Sequence, residues 1–147
     1  MDIGRAIGGS SRPFDEPEVC VNIGGFYQEF WSSAFGVLTG AVTDFVAKAP
    51  YEDSEKIMAY LRSGYEMIST MGMTRDVLGS DQQFAGGDSL ISDGEWLCRG
   101  DTWHYVRLHN MQLPEEFLAH VREVGYIMPA VERPRLLDVS TYIQERW

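Results

Sequence analysis

The side chains of this sequence able to do chemistry are three histidines, two cysteines and a run of acids. His104 and His109 stand five residues apart, so on a helix they leave from different faces. A metal held by one helix wants an i, i+4 pair, and the reading is that these two do not converge on an ion. They and His120 are expected to be surface or half-buried histidines without a catalytic role. Cys20 and Cys98 are far apart and neither belongs to a Cys-x-x-Cys pair, which predicts reduced thiols rather than a disulfide framework. Cys98 has only Arg99 beside it to lower its pKa, and no serine or cysteine sits in a nucleophile elbow. Gly24-Gly25 and Gly86-Gly87 lead neither to Lys-Ser/Thr nor to a third spaced glycine, so no phosphate loop is expected. The acids Asp76, Asp81, Asp88, Asp93 and Glu95 lack the spacing and terminal Glu of a calcium loop. Read as a glycosidase pair, any two of them would serve equally well, so the pattern selects none. The sequence thus predicts no catalytic residue, no cofactor and no metal.

The elements that must carry these residues follow from turn signals and apolar spacing. Residues 1–18 are rich in Gly, Ser and Pro and predict a flexible arm, with 19–147 forming a single domain; Val19–Ile23 could be a short extended piece. Trp31, Phe35, Leu38, Val42 and Phe45 fall at helical spacing, which predicts a long helix over 27–48 with Gly36 and Gly40 on its flank. That stretch contains Asp44 and is bounded by Glu29 and Lys48, so it reads as buried rather than membrane-spanning. Pro50 ends it, and Glu52, Asp53 and Glu55 open a second helix that Gly64 is expected to close in the left-handed conformation. Tyr65–Thr70 reads as a strand, and residues 72–87 as polar and turn-prone. Ser89–Ile91 and Glu95–Cys98 form a hairpin across Asp93-Gly94. Asp101 is placed to cap a helix over 102–110, and Pro114 to open another, with Phe117, Leu118 and Val121 inward and Gly125 ending it. Leu137–Arg146 predicts a last helix. The fold class is therefore α+β: N-terminal helices, a small antiparallel meander of three or four strands, then C-terminal helices.

Charge narrows the partners. The chain carries −10 overall, and −5 of that falls in residues 51–100. Such a surface repels nucleic-acid phosphates and attracts basic proteins. A protein acidic for solubility alone would look the same.

The order and spacing of several segments resemble the bacterial immunity proteins that accompany polymorphic toxins, of the contact-dependent or secretion-delivered kind. The segments are Ala59-Tyr60-Leu61-Arg62-Ser63-Gly64, Asp76-Val77-Leu78, Leu90 to Cys98, Asp101 to Val106, and Leu113-Pro114-Glu115-Glu116-Phe117, within about residues 51–128. Cys98 stands where that family shows an aromatic, and His104-Tyr105-Val106 where it shows Tyr-Tyr-Val; nothing before Tyr51 is similar. The resemblance transfers no active-site residues. It implies a cytoplasmic, non-enzymatic protein that binds and blocks one cognate toxin. Were that toxin a nuclease, its groove would be basic, and an acidic inhibitor would gain fast, salt-sensitive association. Asp81, Asp88, Glu95 and Asp101 are the expected charged contacts, with Trp96 or Trp103 as anchor. Two other readings stand beside it. One is an adaptor or scaffold assembling through the apolar helix 27–48, monomer or homodimer being open. The other is an enzyme collecting Cys98, a histidine and an acid in a pocket.

Overall fold

The hairpin that Asp93-Gly94 predicts is the centre of the fold. In the computed structural model, which describes residues 21–147 apart from positions 26 and 37, six short strands and four helices form. Residues 1–18, expected as a flexible arm, lie outside the described residues. Strands β5 (Leu90–Ser92) and β6 (Trp96–Arg99) pair antiparallel, with Ile91 opposite Cys98. Between them Gly94 takes φ +98, and Asp93 Oδ1 accepts the amides of Glu95 at 2.9 Å and Trp96 at 2.7 Å. The aspartate side chain thus replaces the ladder bonds that the turn lacks.

Around this pair two outer strands complete a four-stranded sheet. Strand β2 (Tyr65–Ile68) lies antiparallel to β5, with a register shift between Glu66 and Ile68. Strand β1 (Asn22–Ile23) lies parallel to β6, Asn22 opposite Trp96. The sheet is therefore mixed, and the all-antiparallel meander is corrected: β1 arrives from far earlier in the chain and needs no tight turn. A separate ribbon of β3 (Met73–Arg75) and β4 (Gln83–Ala85) occupies the stretch read as turn-prone. Only its middle residues, Thr74 and Phe84, are drawn inward, so the alternation is too short to see in the sequence.

Helix α1 (Ser54–Arg62) buries Ile57, Tyr60 and Leu61, the i, i+3, i+4 stripe of an amphipathic helix. Helix α2 (Thr102–His109) packs against it, and α3 (Glu115–Glu123) buries Phe117, Leu118 and Val121 as expected. Helix α4 (Arg133–Gln144) begins four residues earlier than its sequence signal and buries Val139, Tyr142 and Ile143. Consecutive residues of β6 serve two cores, because strand side chains alternate between faces. Cys98 joins Tyr60, Tyr105 and Phe117, while Leu97 joins Trp31, Phe35, Val139 and Ile143.

Four expectations fail here, each for a local reason. The described residues of 27–48 form two 3-10 turns, Ser33–Phe35 and Val42–Phe45, not a helix. Gly36 and Gly40 adopt φ +135 and +149, outside the helical region, so the apolar residues are buried from an irregular chain. The scaffold reading built on that helix loses its premise. Gly64 is not left-handed; Ser63 caps α1, and a Cβ on Gly64 would stand 3.2 Å from Ile91 Cβ. Pro114 with ψ +140 caps α3 from outside its first turn, and the Asp101 carboxylate makes no capping bond to α2. Among the described residues no helix is long and apolar enough to cross a membrane.

Candidate functional site

Two buried carboxylates gather all three histidines. The first is Asp76, in the turn leaving β3. Its Oδ1 accepts the Leu78 amide at 2.7 Å, and its Oδ2 accepts the Ser80 hydroxyl at 2.5 Å. These bonds fold the turn back on itself and aim the carboxylate at α2. There Oδ2 meets Nε2 of His104 at 2.9 Å and Nε2 of His109 at 2.6 Å. The side chains of Asp76 and His104 are fully buried, and that of His109 is 19 % exposed. Phe84 packs edge-on against His104 with ring centres 4.4 Å apart, and the Tyr105 hydroxyl accepts the Val77 amide, so ribbon and helix lock together. Burial alone would raise the Asp76 pKa, but the bonds from His104, Ser80, His109 and the Leu78 amide outweigh it and hold the carboxyl below its usual range.

The expectation that His104 and His109 cannot converge is therefore corrected. Five residues of helix put their Cβ atoms about 140° apart around the axis. The carboxylate comes from a different segment and enters between the two rings, so each reaches it from its own side. Asp76, His104 and His109 place one ligand atom each within 4.8 Å of the others, the geometry from which a metal ion could be held.

The second carboxylate is Asp93. Besides the turn amides, its Oδ2 accepts the Tyr60 hydroxyl at 2.6 Å and meets His120 Nε2 at 3.0 Å. One side chain so ties α1, α3 and the hairpin turn together. Tyr60 is pushed well above its ordinary pKa, first by burial and then by the Asp93 carboxylate. The neighbouring void, lined by Tyr60, Asp93, Cys98 and Phe117 among others, holds about 10 Å³, room for roughly one water. Cys98 is buried, and burial followed by the charge of Asp93 pushes its thiol far up.

No family model, curated protein or solved structure matches this chain.

The six residues expected to meet a partner do not share one surface. Glu95 and Trp96 lie at the turn end of β6: Glu95 is exposed, and Trp96 is half-buried against Phe117 with ring centres 5.1 Å apart. At the other end of β6, Asp101 is buried and held by Arg99 through bonds of 3.1 and 2.8 Å, so it is not a surface contact. Burial raises its pKa despite that guanidinium. Asp88, half-buried, accepts the Thr70 hydroxyl at 2.5 Å and lines a groove of about 330 Å³ with Phe30, Arg99, Arg146 and Trp147. Trp103 is flanked by basic side chains, Arg62 at 4.5 Å and Arg107 at 5.7 Å from its ring centre. Asp81 is exposed in the loop of the β3–β4 ribbon, apart from the rest.

The acids that sequence reasoning missed are on α3. Glu116, His120 and Glu123 recur at i, i+4, i+7 and share one face. His120 Nδ1 lies 3.7 Å from Glu95 Oε2, so Glu95 adjoins this stripe. Glu116 and Glu123 are both exposed. The helical spacing was visible in the sequence; the proximity of the hairpin turn was not.

Proposed function

We propose that this chain is an immunity protein, which binds a cognate bacterial toxin and occludes its active site without chemistry of its own. The observation that carries the reading is the acidic face formed by Glu95, Glu116 and Glu123 beside half-buried Trp96. An aromatic at the edge of such a patch supplies rigid contact area, and the carboxylates supply steering. The order of segments from Tyr51 to Met128, similar to that of immunity proteins, supports the same reading. A toxin with a basic substrate groove, such as a nuclease, fits the charge best. Of the residues first expected as contacts, Glu95 and Trp96 belong to this face and Asp101 does not.

The test is co-expression with the product of the adjacent open reading frame. The chain should protect cells and co-purify with that product. Reversing Glu95, Glu116 and Glu123 to lysine should slow association by about tenfold or more at low salt and flatten its salt dependence. Absence of both a complex and protection overturns the reading.

A further inference from the structure

We infer that Asp76, His104 and His109 form a binding site for one divalent transition-metal ion of the zinc class, fastening the turn after β3 to the end of α2. The inference is independent of the toxin-binding reading. Its first support is the crowding of one atom. Asp76 Oδ2 faces three polar atoms, Ser80 Oγ at 2.5 Å, His109 Nε2 at 2.6 Å and His104 Nε2 at 2.9 Å, while Oδ1 takes a single amide. A carboxylate oxygen offers about two lone-pair directions, so three donors oversubscribe it. An ion between the carboxylate and the two rings resolves the conflict. The nitrogens then give lone pairs instead of protons, and Oδ2 keeps Ser80 and the metal.

The donor set is also selective. Two imidazoles and a carboxylate suit zinc and its first-row neighbours, and not calcium or magnesium, which want oxygen. Zinc distances of about 2.0–2.2 Å set neighbouring ligand atoms roughly 3.3 Å apart. The two Nε2–Oδ2 separations must therefore open by about half an ångström. The larger opening falls to His109, which ends α2 and is partly exposed, and the buried His104 pair, already at 2.9 Å, needs the smaller one. The same exposure gives an ion its way in and a fourth position to water.

The shell behind the ligands sets the strength. Ser80 and the Leu78 amide orient the carboxylate, but Nδ1 of His104 is buried without a hydrogen-bond partner. A missing partner of this kind weakens metal binding by about 10–100-fold relative to a site whose rings are both supported.

The experiment uses the full chain, freed of metal by dialysis against a chelator and titrated with zinc in a calorimeter, with cobalt(II) as a coloured probe. Wild type should take up one zinc and show visible cobalt absorption. At a hundredfold excess over Kd, its melting temperature should rise by roughly 5–10 °C. His109→Ala, at the partly exposed end of a helix, should keep its far-ultraviolet circular dichroism and lose zinc uptake. His120→Ala, which disturbs the other carboxylate centre, should bind zinc as wild type does. Magnesium should not compete. The inference is overturned by wild type taking up no zinc, by His109→Ala binding as tightly as wild type, or by His120→Ala alone abolishing uptake.

Discussion

Replacing Asp93 by alanine should expose how the hairpin turn is held. The carboxylate is 3 % exposed and accepts four bonds, from the amides of Glu95 and Trp96, the Tyr60 hydroxyl and His120. Glu95 is exposed, so water can take over its amide. Tyr60 is 2 % exposed, and its orphaned hydroxyl should cost about 1–3 kcal/mol. Loss of the Trp96 and His120 bonds adds about 1 kcal/mol each, giving roughly 3–5 kcal/mol in all. That is a large part of the ~5–15 kcal/mol typical of a domain. Asp93→Asn retains an acceptor for the turn amides and should lose about 1 kcal/mol. The decisive comparison adds Tyr60→Phe. In the wild-type background it removes a satisfied hydroxyl and should destabilise by about 1 kcal/mol; in Asp93→Ala it removes an unsatisfied one and should stabilise. Urea midpoints at constant slope measure all five proteins. If Tyr60→Phe is equally destabilising in both backgrounds, the hydroxyl is not held by Asp93 and the reasoning fails.

Three further outcomes are expected. Hydrogen bonds from Arg122, with a lesser contribution from Tyr126, hold the Asp53 carboxyl at about 2 against an ordinary 3.8. Its contribution is therefore complete above pH 3.8 and lost as pH falls towards 2, so Asp53→Asn should flatten the fluorescence-monitored stability profile in that window; an unchanged slope would count against the ion pair. Gly64→Ala should destabilise by about 1–3 kcal/mol, because its Cβ would stand 3.2 Å from Ile91 Cβ and 3.3 Å from the Ser92 carbonyl oxygen; a neutral melting temperature would show that the strand can give way. Peptide mapping after treatment with a thiol reagent should find Cys98 unmodified in native buffer and labelled in concentrated urea, and labelling in buffer would contradict its burial.

Local signals carried most of the elements. Asp93-Gly94 announced the hairpin because a positive φ and an acceptor side chain are both chemical properties of those two residues. The inward stripes of α1 and α3 announced themselves because nothing interrupts their periodicity. In residues 27–48 the same spacing misled, since Trp31, Phe35 and Val42 are buried wherever the chain lets them, and Gly36 and Gly40 decide that it is not helical. The ribbon of Met73–Arg75 and Gln83–Ala85 stayed hidden because a three-residue strand shows only one inward side chain. The Asp76 centre was missed for another reason. Helical spacing fixes the angle between two histidines and says nothing of a third residue that comes between them. Asp101 looked like a cap from its position, yet Arg99, two residues before it, took the carboxylate.

The register break in β2 bears on how a partner can attach. Many recognition domains offer an outer strand as a template on which a visiting peptide extends the ladder. Here that outer strand is four residues long, its pairing slips between Glu66 and Ile68, and Glu66 faces solvent with a charge. Those are devices by which proteins refuse uninvited strands. A visitor along Tyr65–Ile68 is therefore discouraged from amyloid-like stacking and backbone zippering alike.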